Sequence, residues 1–265
     1  MLTAIRARRT RAVLLTTFLV VTAALLVALG GGPAQAALQE GGGGRDVLIG
    51  RDNDNANNTF IQPPGVNAKQ HLDNTDILRG GGQDDLLIGR LGDDVLLGDN
   101  GDDILVGGPE AGSQPNSDVI FGGNGDDINI WVGGDGSDAF VGDQGHDTMV
   151  FAGAFAQVTN GVPQLVNFRG RRVPLVPIDN QPQFSCTIQA VPANEQLGFR
   201  FIVRFLVNNN VVVTVRQQNV EQVLCSSPNP GTVLVADLTR PNPAFVERPL
   251  SAFRNTALGA IIQAR

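Results

Sequence analysis

The sequence predicts an all-β chain in two parts: a solenoid of short stacked strands over residues 37–150, then a small β-rich, sandwich-like domain over residues 151–265. Two observations predict it. Between residues 41 and 150 an aspartate returns every nine residues, after glycines and before three mostly apolar residues, as in Gly41 to Ile49. From Phe151 that period stops, and the composition shifts to Val, Phe, Gln, Asn and Pro. A short fixed period marks a unit that cannot bury its own apolar surface and must stack on copies of itself.

Residues 1–36 precede both parts and read as a signal peptide. Arg6, Arg8, Arg9 and Arg11 form a basic head, Val13 to Leu29 an uncharged apolar stretch, and Ala34-Gln35-Ala36 a small-residue cleavage site, so the mature chain starts at Ala37. The alternative is an uncleaved anchor, because the stretch approaches the roughly 18 residues that span a bilayer. The Gly-Gly-Gly-Pro breaker at 30–33 favours cleavage, which leaves no stable membrane span.

Aligned as Gly-Gly-x-Gly-x-Asp-x-U-x, with U apolar, rows begin at 41, 50, 71, 80, 89, 98, 107, 122, 133 and 142. The sixth position is Asp46, Asp76, Asp85, Asp94, Asp103, Asp118, Asp127, Asp138 and Asp147, and the row at 50 has Asn55 instead. Position four is Gly or Asn in nearly every row, residues that tolerate positive φ, so a tight turn recurs there. After each Asp comes a short strand, such as Leu86-Leu87-Ile88. Side chains alternate along a strand, so Leu48, Leu78, Leu87, Leu96, Leu105, Ile120, Phe140 and Met149 line one interior. Asn57 and Asn129 interrupt that column, and the extra residues Trp131 and Val132 leave open whether Ile130 or Trp131 turns inward.

Charge separates the two parts. The chain carries net −7, and without the four arginines of the leader the remainder carries −11. Residues 41–150 hold 20 acids against five bases, and residues 151–265 hold five against ten. The first part repels nucleic acid, and the second lacks a basic cluster beyond Arg169, Arg171 and Arg172. In the turns carboxylates are doubled: Asp84 with Asp85, Asp93 with Asp94, Asp102 with Asp103, Asp126 with Asp127. Stacked without a counter-ion they repel one another. Several carboxylates with turn carbonyls suit Ca²⁺, which accepts 6 to 8 oxygens in flexible geometry, better than the strictly octahedral Mg²⁺. Zinc and copper are disfavoured, since His71 and His146 are the only imidazoles and read as exposed turn residues.

On these rows residues 41–150 resemble the RTX, or haemolysin-type, calcium-binding nonapeptides. The resemblance implies a parallel β-roll with two nonapeptides per coil and Ca²⁺ between stacked turns. It implies ions shared by Asp76 with Asp94, Asp94 with Asp118 and Asp118 with Asp138 along one edge. Along the other edge, Asp85 pairs with Asp103, Asp103 with Asp127 and Asp127 with Asp147, and carbonyls near Gly80, Gly89, Gly98, Gly122, Gly133 and Gly142 complete the shells. The row at 50 and the insertion at 59–70 place Asp46, the ninth expected metal ligand, outside the continuous ladder, while six extra residues at 110–115 bulge and leave Asp118 in register. Carboxylates assembled only in the coil couple binding to folding, at the ~10⁻⁴ to 10⁻³ M of extracellular calcium modules.

In the second part Phe199 to Val207 alternates, Asn208-Asn209-Asn210 turns, and Val211 to Val215 returns, a hairpin. Further strands are expected at 164–168, 172–178, 185–191, 220–225 and 232–238. A small sandwich comes first and a helix-capped sheet using Ser251 to Ile262 second. Either arrangement can also cover the open end of the solenoid. Cys186 and Cys225 in an exported chain suggest a disulfide, although two buried thiols remain the alternative.

No His follows His146, no His-Glu-x-x-His or Gly-x-Ser-x-Gly is present, and Asp179, Glu195, Glu221, Asp237 and Glu247 read as scattered solvated turn residues. The expectation is a secreted or cell-surface calcium-binding structural or interaction protein without enzymatic activity. Its partners are calcium ions and a cell-surface, glycan or protein partner met by the second domain or a face of the roll. The rivals are a secreted enzyme with an unrecognised C-terminal catalytic domain and a surface adhesin. Outward positions are unusually apolar, among them Val47, Ile49, Leu86, Ile88, Val95, Leu97, Ile104, Val106, Val119 and Phe121. They mark either a contact surface or burial against the second domain.

Overall fold

A computed structural model describes residues 37–50, 76–90, 92–108, 117–133, 135–152, 158–159, 162–163, 165–168, 171–174, 176–178, 182–196, 198–254 and 256–264. The leader at 1–36, the row at 50 after its first glycine, with Asn55 and Asn57, the insertion at 59–70, His71, the loop at 110–115, Arg169 and Asp179 lie outside the described residues.

Up to Phe151 the described residues make ten strands: β1 (Ala37–Glu40), β2 (Val47–Ile49), β3 (Asp76–Gly82), β4 (Leu86–Ile88), β5 (Val95–Asn100), β6 (Ile104–Val106), β7 (Val119–Asn124), β8 (Ile128–Trp131), β9 (Ala139–Gln144) and β10 (Thr148–Phe151). Odd-numbered strands pair in parallel in one sheet and even-numbered strands in the other. The chain therefore alternates between sheets once per nonapeptide, and the fold is a β-roll. Between the sheets Leu78, Leu87, Leu96, Leu105, Ile120, Phe140 and Met149 are fully buried in one cluster, with Leu48 packed against it at the open end. Trp131 joins this interior and Ile130 faces outward, because Asn129 stays in the inner register opposite Met149 and alternation carries Trp131 inward with it.

The remaining strands are β11 (Val158–Thr159), β12 (Val162–Pro163), β13 (Leu165–Phe168), β14 (Arg171–Pro174), β15 (Val176–Ile178), β16 (Phe184–Ala190), β17 (Phe201–Val207), β18 (Asn210–Gln218), β19 (Gln222–Ser226), β20 (Thr232–Asp237), β21 (Val246–Pro249) and β22 (Ile262–Ala264), with a helix at Ala257–Ile261. They continue the roll rather than standing apart from it. β18 adds in parallel to β9 and β19 in parallel to β10. Antiparallel β17 and β16 then extend the odd sheet, and β20 and β21 the even sheet. The last coil is thus built by C-terminal chain, and its strands cover the apolar end that a solenoid leaves open. Trp131, Phe151, Phe184 and Phe205 fill that end, with ring centroids 5.3 to 6.2 Å apart. A Cys186–Cys225 disulfide joins β16 to β19, one strand from each sheet.

The two outer faces differ. On the even sheet Leu86, Ile88, Ile104, Val106 and Ile130 are buried in a second cluster with Val173 of β14 and Leu258 and Ile261 of the helix. Residues from both the expected sandwich and the expected helix cap therefore share one cluster with this side. On the odd sheet Val95, Leu97 and Val119 are only half-buried.

Candidate metal centre

Several turns begin on a glycine held against two oxygens. Gly80, Gly98 and Gly122 face the carboxylates of Asp85, Asp103 and Asp127 in their own rows, and the carbonyls of Gly98, Gly122 and Gly142 in the next coil. A Cβ at any of the three would collide with both groups. The first-position glycines at 80, 98 and 122 are therefore the price of bringing a carboxylate and a carbonyl together.

The aspartates form two ladders. On the odd-to-even edge the backbone N–H of Asp46 donates to Oδ1 of Asp85 at 2.6 Å, Asp85 to Asp103 at 2.7 Å, Asp103 to Asp127 at 2.8 Å and Asp127 to Asp147 at 2.9 Å. On the opposite edge Asp76 donates to Asp94 at 2.6 Å, Asp94 to Asp118 at 2.8 Å and Asp118 to Asp138 at 3.0 Å. Every pair expected from the period is brought together. Asp46 corrects the expectation: it is a rung of the ladder, because β2 pairs directly with β4 and the Asp46 N–H reaches Asp85.

The doubled carboxylates have their own use. Backbone N–H groups of Asp102, Asp126 and His146 donate to Oδ1 of Asp84, Asp102 and Asp126, at 3.1, 2.9 and 2.8 Å. This outer series runs against the inner one, so each turn on this edge is tied forward and backward. His146 is exposed and contributes its backbone N–H.

The inner carboxylates are almost wholly removed from water. Asp76, Asp85, Asp94, Asp103, Asp118, Asp127, Asp138 and Asp147 are at most 3 % exposed. Oδ1 of Asp85, Asp94, Asp103, Asp118, Asp127, Asp138 and Asp147 accepts a backbone N–H, while Oδ2 of Asp85, Asp127, Asp138 and Asp147 is buried with no hydrogen-bond donor. Desolvation raises Asp127 to about 8, against its backbone hydrogen bond and with help from the charges of Asp103, Asp147 and Asp102. Desolvation likewise raises Asp147 to about 7, with Glu221 adding to the effect. Asp118 and Asp138 are pushed upward together by burial, and Asp138 and Asp135 add their charge at Asp118. Buried carboxylates of this kind need a proton or a cation.

Two carboxylates stand outside the expected set. Asp135 lies with Asp118 and Asp138, one oxygen of each within 4.8 Å of the others, all three buried. The added Trp131 holds this turn, its indole N–H donating to the carbonyls of Asp135 at 3.2 Å and Gly136 at 3.0 Å. An acid at a variable turn position was the only sign of Asp135 in the sequence. Glu221, expected as a solvated turn residue, is half-buried and accepts the N–H of Asp147 at 2.8 Å. Its sign was equally slight: an acid standing directly before a short strand, as every ladder aspartate except Asp76 does.

The donor set is all oxygen, combining carboxylates with turn carbonyls and lacking imidazole or thiolate, which fits Ca²⁺. The description RTX calcium-binding nonapeptide repeat (4 copies) matches residues 72–108, 116–128 and 132–149. The chain carries RTX calcium-binding repeats over residues 72–149. The RTX match starts after Asp46 and stops before Glu221, so geometry extends the ladder beyond the RTX rows at both ends. Comparison with curated proteins gives no match.

Proposed function

We propose that Asp46, Asp76, Asp85, Asp94, Asp103, Asp118, Asp127, Asp138 and Asp147 hold calcium between stacked turns, and that the roll folds as the ions bind. The observation that carries this reading is the division of labour within each carboxylate. Oδ1 ties the preceding coil, and at Asp85, Asp127, Asp138 and Asp147 the second oxygen is buried without a donor. When bound, the ion supplies the positive charge that lets these carboxylates stay ionised out of water. The chain's own part is to aim the groups: glycines admit the next coil's carbonyl, the backbone N–H groups fix the carboxylate planes, and the Leu and Phe column beneath excludes water.

Among the described residues Asp118, Asp135 and Asp138 bring three buried carboxylates within 4.8 Å of one another. Zinc would lack its usual nitrogen and sulfur donors there.

The wider role is that of an exported structural or interaction protein without turnover. A disulfide between the sheets favours an oxidising compartment, in keeping with the leader expected at residues 1–36. The half-buried Val95, Leu97 and Val119 on the odd sheet offer a face for a partner, whereas the even sheet is covered. Circular dichroism of the mature chain, in chelator and then across millimolar Ca²⁺, tests the central claim: β-structure should appear on titration. A spectrum indifferent to calcium overturns it, and reproducible turnover by the mature chain overturns the non-enzymatic role.

A further inference from the structure

We infer that the C-terminal chain adds a calcium site to the end of the roll, built from the carboxylates of Asp147 and Glu221 and the backbone carbonyl of Asn219. This rests on the reading that the aspartate ladder holds calcium. The site lies past the last RTX row, and none of its three groups except Asp147 belongs to a repeat.

The register creates it. β18 pairs with β9 through Arg216 and Ala139, Gln217 and Phe140, and Gln218 and Val141. One residue further, Asn219 stands where Gly142 stands in the preceding coil. β19 pairs with β10 through Gln222 and Thr148, which sets Glu221 beside Asp147. Residues 219–221 thus replace the six-residue turn from Gly142 to Asp147, and Asn219 makes the sharp start at φ 50°.

Each contact of an inner rung is reproduced. The Asp147 N–H donates to Oε2 of Glu221 at 2.8 Å, as the Asp127 N–H donates to Oδ1 of Asp147 at 2.9 Å. The N–H of Gln222 donates to the Asp147 carbonyl at 3.0 Å, as that of Thr148 donates to the Asp127 carbonyl at 2.8 Å. Gly142 is held between the Asp147 carboxylate and the Asn219 carbonyl, as Gly122 is held between the Asp127 carboxylate and the Gly142 carbonyl. Asp147 is fully buried and its Oδ2 has no donor. The turn is three residues shorter than a repeat turn, and the extra methylene of Glu221 supplies reach that an aspartate would lack.

The consequence is mechanical. An ion here is held by the last repeat on one side and by the β18–β19 connection on the other, so calcium binding and docking of the C-terminal strands become one event.

Native mass spectrometry of the mature chain, with a calcium titration in parallel, tests the site. Glu221→Gln should bind one calcium ion fewer than wild type, while near-ultraviolet dichroism from Trp131 reports an intact roll. Glu221→Asp, which keeps a carboxylate on a shorter arm, should keep the ion and weaken only the last binding step. If Glu221→Gln does not fold, Glu221→Asp still decides, since unchanged binding steps in it count against the site. A wild-type chain that binds calcium beside a Glu221→Gln chain with equal stoichiometry and midpoints overturns this site alone. A wild-type chain that binds no calcium overturns the ladder reading beneath it.

Discussion

The backbone N–H of Asp127 donates to Oδ1 of Asp147 at 2.9 Å, and both side chains present a second oxygen that is buried without a donor. One carboxylate therefore performs two tasks. It joins consecutive coils through the backbone and leaves a charged oxygen that only a proton or a cation can satisfy.

Asp127→Asn keeps the shape of the rung and removes its charge. Asp127 contacts both Asp103 and Asp147, so two positions along the edge should weaken together. The calcium midpoint followed by circular dichroism should rise by at least the roughly 10- to 100-fold typical of losing even an outer-shell metal partner. An unchanged midpoint would remove Asp127 from the ion sites.

Gly122→Ala and Gly43→Ala separate packing from composition. A Cβ at Gly122 meets the Asp127 carboxylate and the Gly142 carbonyl, whereas one at Gly43 meets nothing within 4 Å. The first should cost about 1–3 kcal/mol, as overpacking does, and the second less than about 0.5 kcal/mol. Thermal unfolding in saturating calcium measures both, and equal losses would count against the close approach at Gly122.

Proton and calcium should compete for the same oxygens. In the folded chain without calcium Asp127 titrates at about 8 and Asp147 at about 7, against roughly 3.9 for an unfolded aspartate. Between those values the folded state binds more protons than the unfolded one. Their contribution to stability is therefore full below about pH 4 and is lost as pH rises to about 8. Circular dichroism in chelator should show more β-structure at pH 5 than at pH 8, and the calcium midpoint should rise as pH falls below about 8. The opposite order at either step would contradict the buried ladder.

Opening the Cys186–Cys225 bridge should loosen the C-terminal strands. The bridge closes a loop of 39 residues and should contribute roughly 4 kcal/mol by restricting the unfolded chain. Denaturant unfolding of the Cys186→Ser, Cys225→Ser double variant in saturating calcium gives the value, and coincident curves for variant and wild type would show that the bridge adds nothing.

The sequence by itself determined the inner rungs, the interior column and the chemistry of the ion. A constant period makes the contact between Asp85 and Asp103 the same as that between Asp76 and Asp94, 18 residues apart in both, so local spacing is enough to place them. Alternation within a three-residue strand then sends Leu87 and Leu105 inward. What lies at the ends of the ladder was decided by the tertiary structure. Asp46 reaches Asp85 across 39 residues and Asp147 reaches Glu221 across 74, distances at which no period operates. Asp135 needed the turn pinned by Trp131, and Trp131 needed the phase of strand β8. In each case strand pairing between distant segments chose the neighbour, because backbone hydrogen bonds between sheet edges fix register whatever the length of chain between them.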